Sequence, residues 1–176
     1  MSKYIAFLRG INVSGKNIIK MDVLKVIFEE LGFTAVSTYI QSGNIIFKSK
    51  INSKQEIENL IEQHIFTKLG MSIQTIVVSE TEMTDYLSQC PFKEMDSGKL
   101  YFTFCKEASI IALEMPIVEG KDVFVKNGSI VYLYIPDGYG RTKLNNNFFE
   151  GKLKTTCTTR NLLTCEKIHA MLQQVV

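Results

Sequence analysis

The sequence predicts an α+β fold of two small plaits, in tandem and packed together. Three observations predict it. The chain has 176 residues with 45% apolar side chains, enough for one compact domain or two small ones. Short apolar runs of strand length alternate with stretches of 3.6-residue apolar period. The order of these segments in the first half is β-α-β-β-α-β, and the second half repeats the theme less regularly.

In the first half, residues 3–9, apolar from Tyr4 to Leu8 and bounded by Gly10, form a buried strand. A polar loop follows over residues 10–20. From Met21, apolar residues at 21, 24, 27, 28 and 31 mark one face of a helix, which Gly32 ends. Residues 35–40 and 44–48 are strands joined through Gln41-Ser42-Gly43 as a hairpin. Ser53 with Glu56 is a capping box opening a helix that runs to Gly70. Residues 72–78 complete a ferredoxin-like, or alpha-beta plait, subdomain over residues 1–79.

Residues 80–176 give a second, irregular α+β plait subdomain with a C-terminal helix. Ser79 with Glu82 is another capping box, for a helix stopped at Pro91. A strand over 99–105 and a short helix over 107–114, ended by Pro116, follow. Strands 121–126 and 129–135 form a hairpin with Asn127-Gly128 as its turn. A polar loop over 136–147 leads to a short helix near 145–151. The last helix carries Cys165, Ile168, Met171, Leu172 and Val175 on one face.

Composition narrows the function. The net charge of +2 does not supply a basic face for nucleic acid. Arg9 interrupts the first apolar run before it reaches signal-peptide length, so a cytoplasmic location with reduced thiols is expected. No stretch has the roughly 18 apolar residues that mark a membrane helix, and no membrane partner is expected.

Two polar loops are candidate sites. The first, Arg9-Gly10-Ile11-Asn12-Val13-Ser14-Gly15-Lys16-Asn17, has the G-x-x-x-x-G-K spacing of a phosphate-binding loop. Glycines let backbone N–H groups converge on an anion, and a lysine reaches its charge. Asn17 stands where a nucleotide hydrolase needs a Ser or Thr hydroxyl for Mg²⁺, and the helix starts several residues later. The open readings are a structured turn held by Asn side chains, or an anion pocket of Arg9, Asn12, Gly15, Lys16 and Asn17. The second loop holds Tyr139, Arg141 and Lys143, with Arg160 and Asn161 farther on after a run of threonines that would cap the last helix. It reads either as a capping loop or as a second anion site. In strand 129–135, Val131, Leu133 and Ile135 face one way, and Tyr132 and Tyr134 the other. The tyrosines are placed on the open face of the sheet, beside Tyr101, either packed or free to stack on bases.

Catalytic and metal equipment is sparse. His64 and His169 are the two histidines, and Cys165 and His169 share helical ligand spacing with no second pair. No metal and no cofactor is expected. Glu29-Glu30 and Glu56, Glu58 and Glu62 read as solvated helix faces.

The runs Tyr4–Asn17, Thr38–Asn44, Tyr139–Leu144 and Thr158–Asn161 resemble the bacterial family called domain of unknown function 1697. The resemblance spans nearly the whole chain and implies a tandem pair of α-β plaits. It implies no established activity and no established catalytic residues. Where the family continues with Trp after Arg-Asn, Leu162 stands here. The leading functional expectation is a binding module for a small anionic or nucleotide-like ligand. The alternatives are an enzyme of unknown reaction using both polar loops, and a weak binder of single-stranded nucleic acid.

Overall fold

The computed structural model describes residues 1–113 and 121–175. Among these it shows a mixed α+β protein with five α-helices and two four-stranded antiparallel sheets. The chain divides into two compact units, Met1–Thr84 with Ile168–Val176, and Asp85–Lys167.

The first unit contains β1 (Ser2–Leu8), α1 (Met21–Glu30), β2 (Thr34–Tyr39), β3 (Asn44–Ser49), α2 (Lys54–Leu69) and β4 (Thr75–Ser79). Its sheet has the order β2-β3-β1-β4, so β1 is central. Tyr4, Ala6 and Leu8 of β1 join Leu24, Ile27 and Phe28 of α1 and Ile57, Ile61 and Ile65 of α2 in one core. The alternate residues Ile5 and Phe7, with Ile46, Ile76 and Val78, are buried as well. Both faces of β1 are therefore buried. Helix α1 ends in a Schellman motif: Gly32 takes a left-handed φ of 79°, its N–H reaches Glu29 O, and Phe33 N–H reaches Phe28 O. The Phe28 and Phe33 rings meet edge-on at 5.9 Å, the apolar contact that accompanies the motif. Ser53 caps α2 by accepting from Glu56 N–H at 3.2 Å.

The acidic face of α2 differs from its sequence reading. Glu58 is buried and accepts the N–H of Val77 at 2.8 Å, and Glu62 accepts that of Thr75 at 2.8 Å. Strand β4 is an edge strand, and the two carboxylates occupy N–H groups that no further strand covers. Helical periodicity cannot reveal this, because it says which residues share a face and not what lies against that face.

Helix α3 (Glu80–Ser88) opens with a reciprocal capping box: Ser79 N–H donates to Glu82 at 2.9 Å, and Glu82 N–H donates to Ser79 Oγ at 3.2 Å.

The second unit contains β5 (Leu100–Cys105), β6 (Val123–Asn127), β7 (Ile130–Tyr134), α4 (Asn146–Leu153) and β8 (Cys157–Asn161), before α5 (Leu162–Gln173). The sheet order is β6-β7-β5-β8. Residues 107–113 are not helical, against expectation, and Glu114 and Pro116 lie outside the described residues. In the β6–β7 hairpin Asn127 pairs with Ile130, so the turn is Gly128-Ser129 and not Asn127-Gly128. Gly128 supplies the positive φ of 61° at the first turn position. Strand β8 is the element that sequence reading missed. Its threonines belong to the ladder with β5 and do not cap α5, whose start is held by Asn161 Oδ1 accepting Leu163 N–H at 2.8 Å. β-branched residues suit a strand better than a helix start when a partner strand is available. Val131, Leu133 and Ile135 form the core of this unit with Phe149 and Leu153 of α4.

Two outcomes are expected. Leu24→Ala or Ile61→Ala should lower the unfolding free energy by about 2–5 kcal/mol in urea titrations, as deletion of fully buried aliphatic groups does. Burial raises the Glu82 carboxyl, but bonds from Lys54 and Ser79 outweigh it and hold the group below its ordinary value of 4.5. A depressed carboxyl stabilises fully above its unfolded value and loses that contribution as pH falls through the folded value. Wild-type stability should therefore fall below about pH 4.5 more steeply than that of Glu82→Gln, measured by denaturant melts from about pH 7 to about pH 3.

Candidate functional site

The chain leaves β1 at Arg9, whose N–H bonds Gln74 O at 2.9 Å, and enters a loop in which Gly10, Asn12, Ser14, Gly15 and Asn17 all have positive φ. Asn12 organises this loop. Its carboxamide donates to Ile19 O at 2.9 Å and to Gln41 O at 2.8 Å, and accepts Ile19 N–H at 2.8 Å. Asn17 Nδ2 closes the base by donating to Gly10 O at 3.1 Å. A small bridge between Val13 and Lys16, with Lys16 N–H on Val13 O at 3.0 Å, carries the tip. The asparagine side chains thus frame the loop, while Ser14, Gly15 and Lys16 are exposed.

The bond from Asn12 to Gln41 O joins this loop to the β2–β3 connection. There Ile40 has a φ of 49°, an outlier for a β-branched residue. Gly43 has a φ of 74° and lies so close to the first loop that a Cβ on it would stand 2.8 Å from Ile11 Cδ1. Leu8 N–H bonds Gly43 O at 2.9 Å, and Asn44 Nδ2 reaches Tyr39 O at 3.0 Å and Ser42 Oγ at 2.9 Å. The first two sequence motifs are therefore one clasp, with Val13, Ile18 and Ile40 exposed on it. The phosphate-loop spacing lacks the accompanying architecture. Strand β1 is antiparallel to both neighbours, and α1 begins at Met21, beyond Lys16.

In the second unit Tyr139 and Tyr101 have ring centroids 5.0 Å apart, and Tyr101 is in register with Asn161. Asn161 Nδ2 reaches Gly98 O at 3.4 Å. Arg160 Nη1 donates to Thr158 Oγ1 and Thr159 O, both at 2.9 Å, and burial pulls its guanidinium down to about 10. Tyr139, Arg160 and Asn161 thus gather at one end of the β5–β8 pair, while Arg141 and Lys143 are exposed.

Of the two tyrosine readings, the packed one holds for Tyr132, and Tyr101 does not stand beside it. Tyr132 is buried, crosses Phe102 edge-on at 5.0 Å and donates to Tyr86 O at 3.1 Å. Tyr101 is in register with Leu133 and so faces the opposite side from Tyr132. These residues form no exposed stacking platform.

Sequence reading also missed a polar cluster beside an apolar groove. Between α1 and α2 lies a groove of about 320 Å³, lined by Val23, Val26, Ile27 and Leu69 with Asp22, Glu30 and Lys68. Glu30 accepts from His64 Nε2 at 2.7 Å and from Lys68 Nζ at 3.0 Å, and these partners, His64 first, hold its carboxyl below the ordinary value. The separation of residues 30 and 64 along the chain hides this pairing. Among the described residues no group of three or more His, Cys, Asp or Glu side chains is arranged to hold a metal, and no helix is long and apolar enough to cross a membrane. His169 Nε2 instead lies 2.9 Å from Thr84 Oγ1.

With two clasped loops on its antiparallel sheet, the first unit is of the antiparallel α+β class. The chain belongs to the family described as "Protein of unknown function (DUF1697)", whose model matches residues 1–131. The clasp lies inside that match, and the Tyr139–Leu144 and Thr158–Asn161 motifs lie beyond it. No curated protein matches the chain. Its fold is similar to that of the conserved bacterial protein SP0830 from Streptococcus pneumoniae, with 24% identity, a TM-score of 0.71, and coverage of 97% of this chain and 98% of that one.

Gly43→Ala tests the clasp against Gly15→Ala. Both positions have positive φ, but a Cβ at Gly15 meets nothing within 4 Å, whereas at Gly43 it strikes Ile11 and Leu8. Gly15→Ala should cost roughly 1–2 kcal/mol for its left-handed backbone alone. Gly43→Ala should cost clearly more in the same thermal or urea melts.

Proposed function

We propose that this protein is a binding module for a small anionic or nucleotide-like ligand, taken at the clasped loops with Arg9 and Lys16 supplying positive charge and Asn12, Gly15 and Asn17 shaping the backbone. One observation carries the reading: Asn12, Ser14, Asn17 and Ile40 all hold left-handed backbone conformations within the two joined loops. Such conformations cost of order 1–3 kcal/mol each and persist where the surroundings over-determine them, most often at ligand clamps and active sites. Here the asparagine bonds fix the frame, so the exposed tip is pre-organised and loses little entropy on binding.

The tandem ferredoxin-like architecture belongs to the same proposal, with plaits over residues 1–79 and 80–176. The matching strand orders β2-β3-β1-β4 and β6-β7-β5-β8 support it. The second cluster, Tyr139, Arg141, Lys143, Arg160 and Asn161, is proposed as a further anion-facing surface. The setting is proposed to be cytoplasmic.

Inorganic phosphate and a mononucleotide, titrated separately, should raise the melting temperature in a dose-dependent way. Lys16→Ala should remove that shift and leave the unliganded melt nearly unchanged, because Lys16 is exposed and only its backbone N–H braces the loop. An equal shift in the variant would take Lys16 out of the site, and no shift in the wild type with either anion would overturn the reading.

A further inference from the structure

Cys105 and Cys157 lie directly opposite each other on β5 and β8, with their Sγ atoms 3.5 Å apart. The ladder places them at a non-hydrogen-bonded position. Cys105 N–H points the other way, to Ser129 O, while the next pair is bonded by Lys106 N–H to Thr156 O. Cys157 N–H points outward to Glu150 Oε1 at 3.0 Å. At such positions the Cα atoms approach to about 4.5 Å and the side chains lie closest, which is inside the range of about 4.4–6.8 Å that a disulfide spans. Both side chains belong to the core of the second unit, and Cys105 retains 5% exposure against none for Cys157.

We propose that Cys105 and Cys157 are a redox pair, closed by a hydroperoxide into a cross-strand disulfide that staples β5 to β8 and reopened by a dithiol. Cys105 is the attacking sulfur. Its thiolate takes the terminal oxygen of the hydroperoxide, the O–O bond breaks, and water or an alcohol leaves after protonation. The resulting Cys105 sulfenic acid is attacked by Cys157, whose sulfur forms the S–S bond while its proton departs with the hydroxyl as a second water. Two thiols are oxidised and one peroxide is reduced. Hydrogen peroxide is small and uncharged, which suits a sulfur with little exposure.

The remaining cysteines are set apart from this chemistry. A bond from Cys157 lowers the Cys105 thiol, whereas burial raises Cys90 and pushes Cys165 up to about 12. Of the charged side chains, Lys126 favours the Cys105 thiolate, and Glu150, whose oxygen holds the Cys157 N–H, disfavours it. Thiolate character governs which cysteine is oxidised first.

The full-length reduced protein should be treated with hydrogen peroxide near neutral pH and followed by intact mass and by peptide mapping without reductant. The expected result is loss of two hydrogen atoms, a crosslinked peptide pair containing Cys105 and Cys157, and Cys90 and Cys165 recovered as free thiols after unfolding. Dithiothreitol should restore the starting mass. In Cys157→Ser the loss should vanish, and a sulfenic-acid probe such as dimedone should label Cys105. Should that variant fail to fold, the wild-type map alone decides. A crosslink through Cys90 or Cys165, oxygen added without a crosslink, or a wild-type protein inert to excess peroxide would each overturn the proposal.

Discussion

The burial of β1 on both faces is the constraint from which the first unit follows. Every side chain from Tyr4 to Leu8 is buried, and the strand is paired on both edges. Such a strand has no wet side along which the chain can turn gradually. At Arg9 it must pass at once into a segment that satisfies its own backbone groups, because an unpaired peptide group beside a dry core costs as much as a lost hydrogen bond. The Asn12 carboxamide performs that task with three bonds. It answers the N–H and C=O of Ile19 and reaches the loop that returns from β2 to β3. The clasp is thus a consequence of where β1 lies in the sheet.

The same constraint acts at the sheet edges. Strands β4 and β8 end their sheets, and glutamates from the preceding helix meet outward N–H groups in each: Glu58 and Glu62 take those of Val77 and Thr75 in β4, and Glu150 takes that of Cys157 in β8. A carboxylate that accepts an edge N–H satisfies the donor and also places a charge where another strand would dock, which blunts edge-to-edge association. At β8 this has a chemical corollary. With its N–H fixed to Glu150, Cys157 holds its register opposite Cys105, so the distance between the two sulfurs is set by the ladder and not by side-chain chance.

Local signals made much of this architecture legible. The Schellman end of α1 at Gly32, the Ser53 cap of α2 and the Ser79–Glu82 box are short-range chemistry, and each forms where the residues indicate. What was illegible depends on partners distant in the chain. Cys157–Asn161 is a strand because β5 lies beside it, and its threonines look like helix caps when read alone. Glu58 looks like a solvated helix face until β4 is placed against it. Tyr132 and Tyr101 differ in face because the β5–β7 register puts Tyr101 opposite Leu133. In the candidate site, the glycines and asparagines announced a loop, but no spacing rule joins Asn12 to Gln41.

The distribution of backbone strain bears on the proposed binding reading. Elsewhere in the described chain, Gly32, Gly70 and Lys154 end helices, Gly128 turns a hairpin, and Ala35, with a φ of 51°, sits at the register shift in β2. Ile40 has no such excuse, since a β-branched side chain resists positive φ and a glycine would relieve it. It is held there between β2 and the Gln41 carbonyl that Asn12 engages, with its side chain half exposed. Val13 and Ile18 are exposed on the same clasp beside Lys16. On the proposed binding reading, these side chains set apolar area beside the positive charge of Lys16 on a frame that the Asn12 and Asn17 bonds hold rigid.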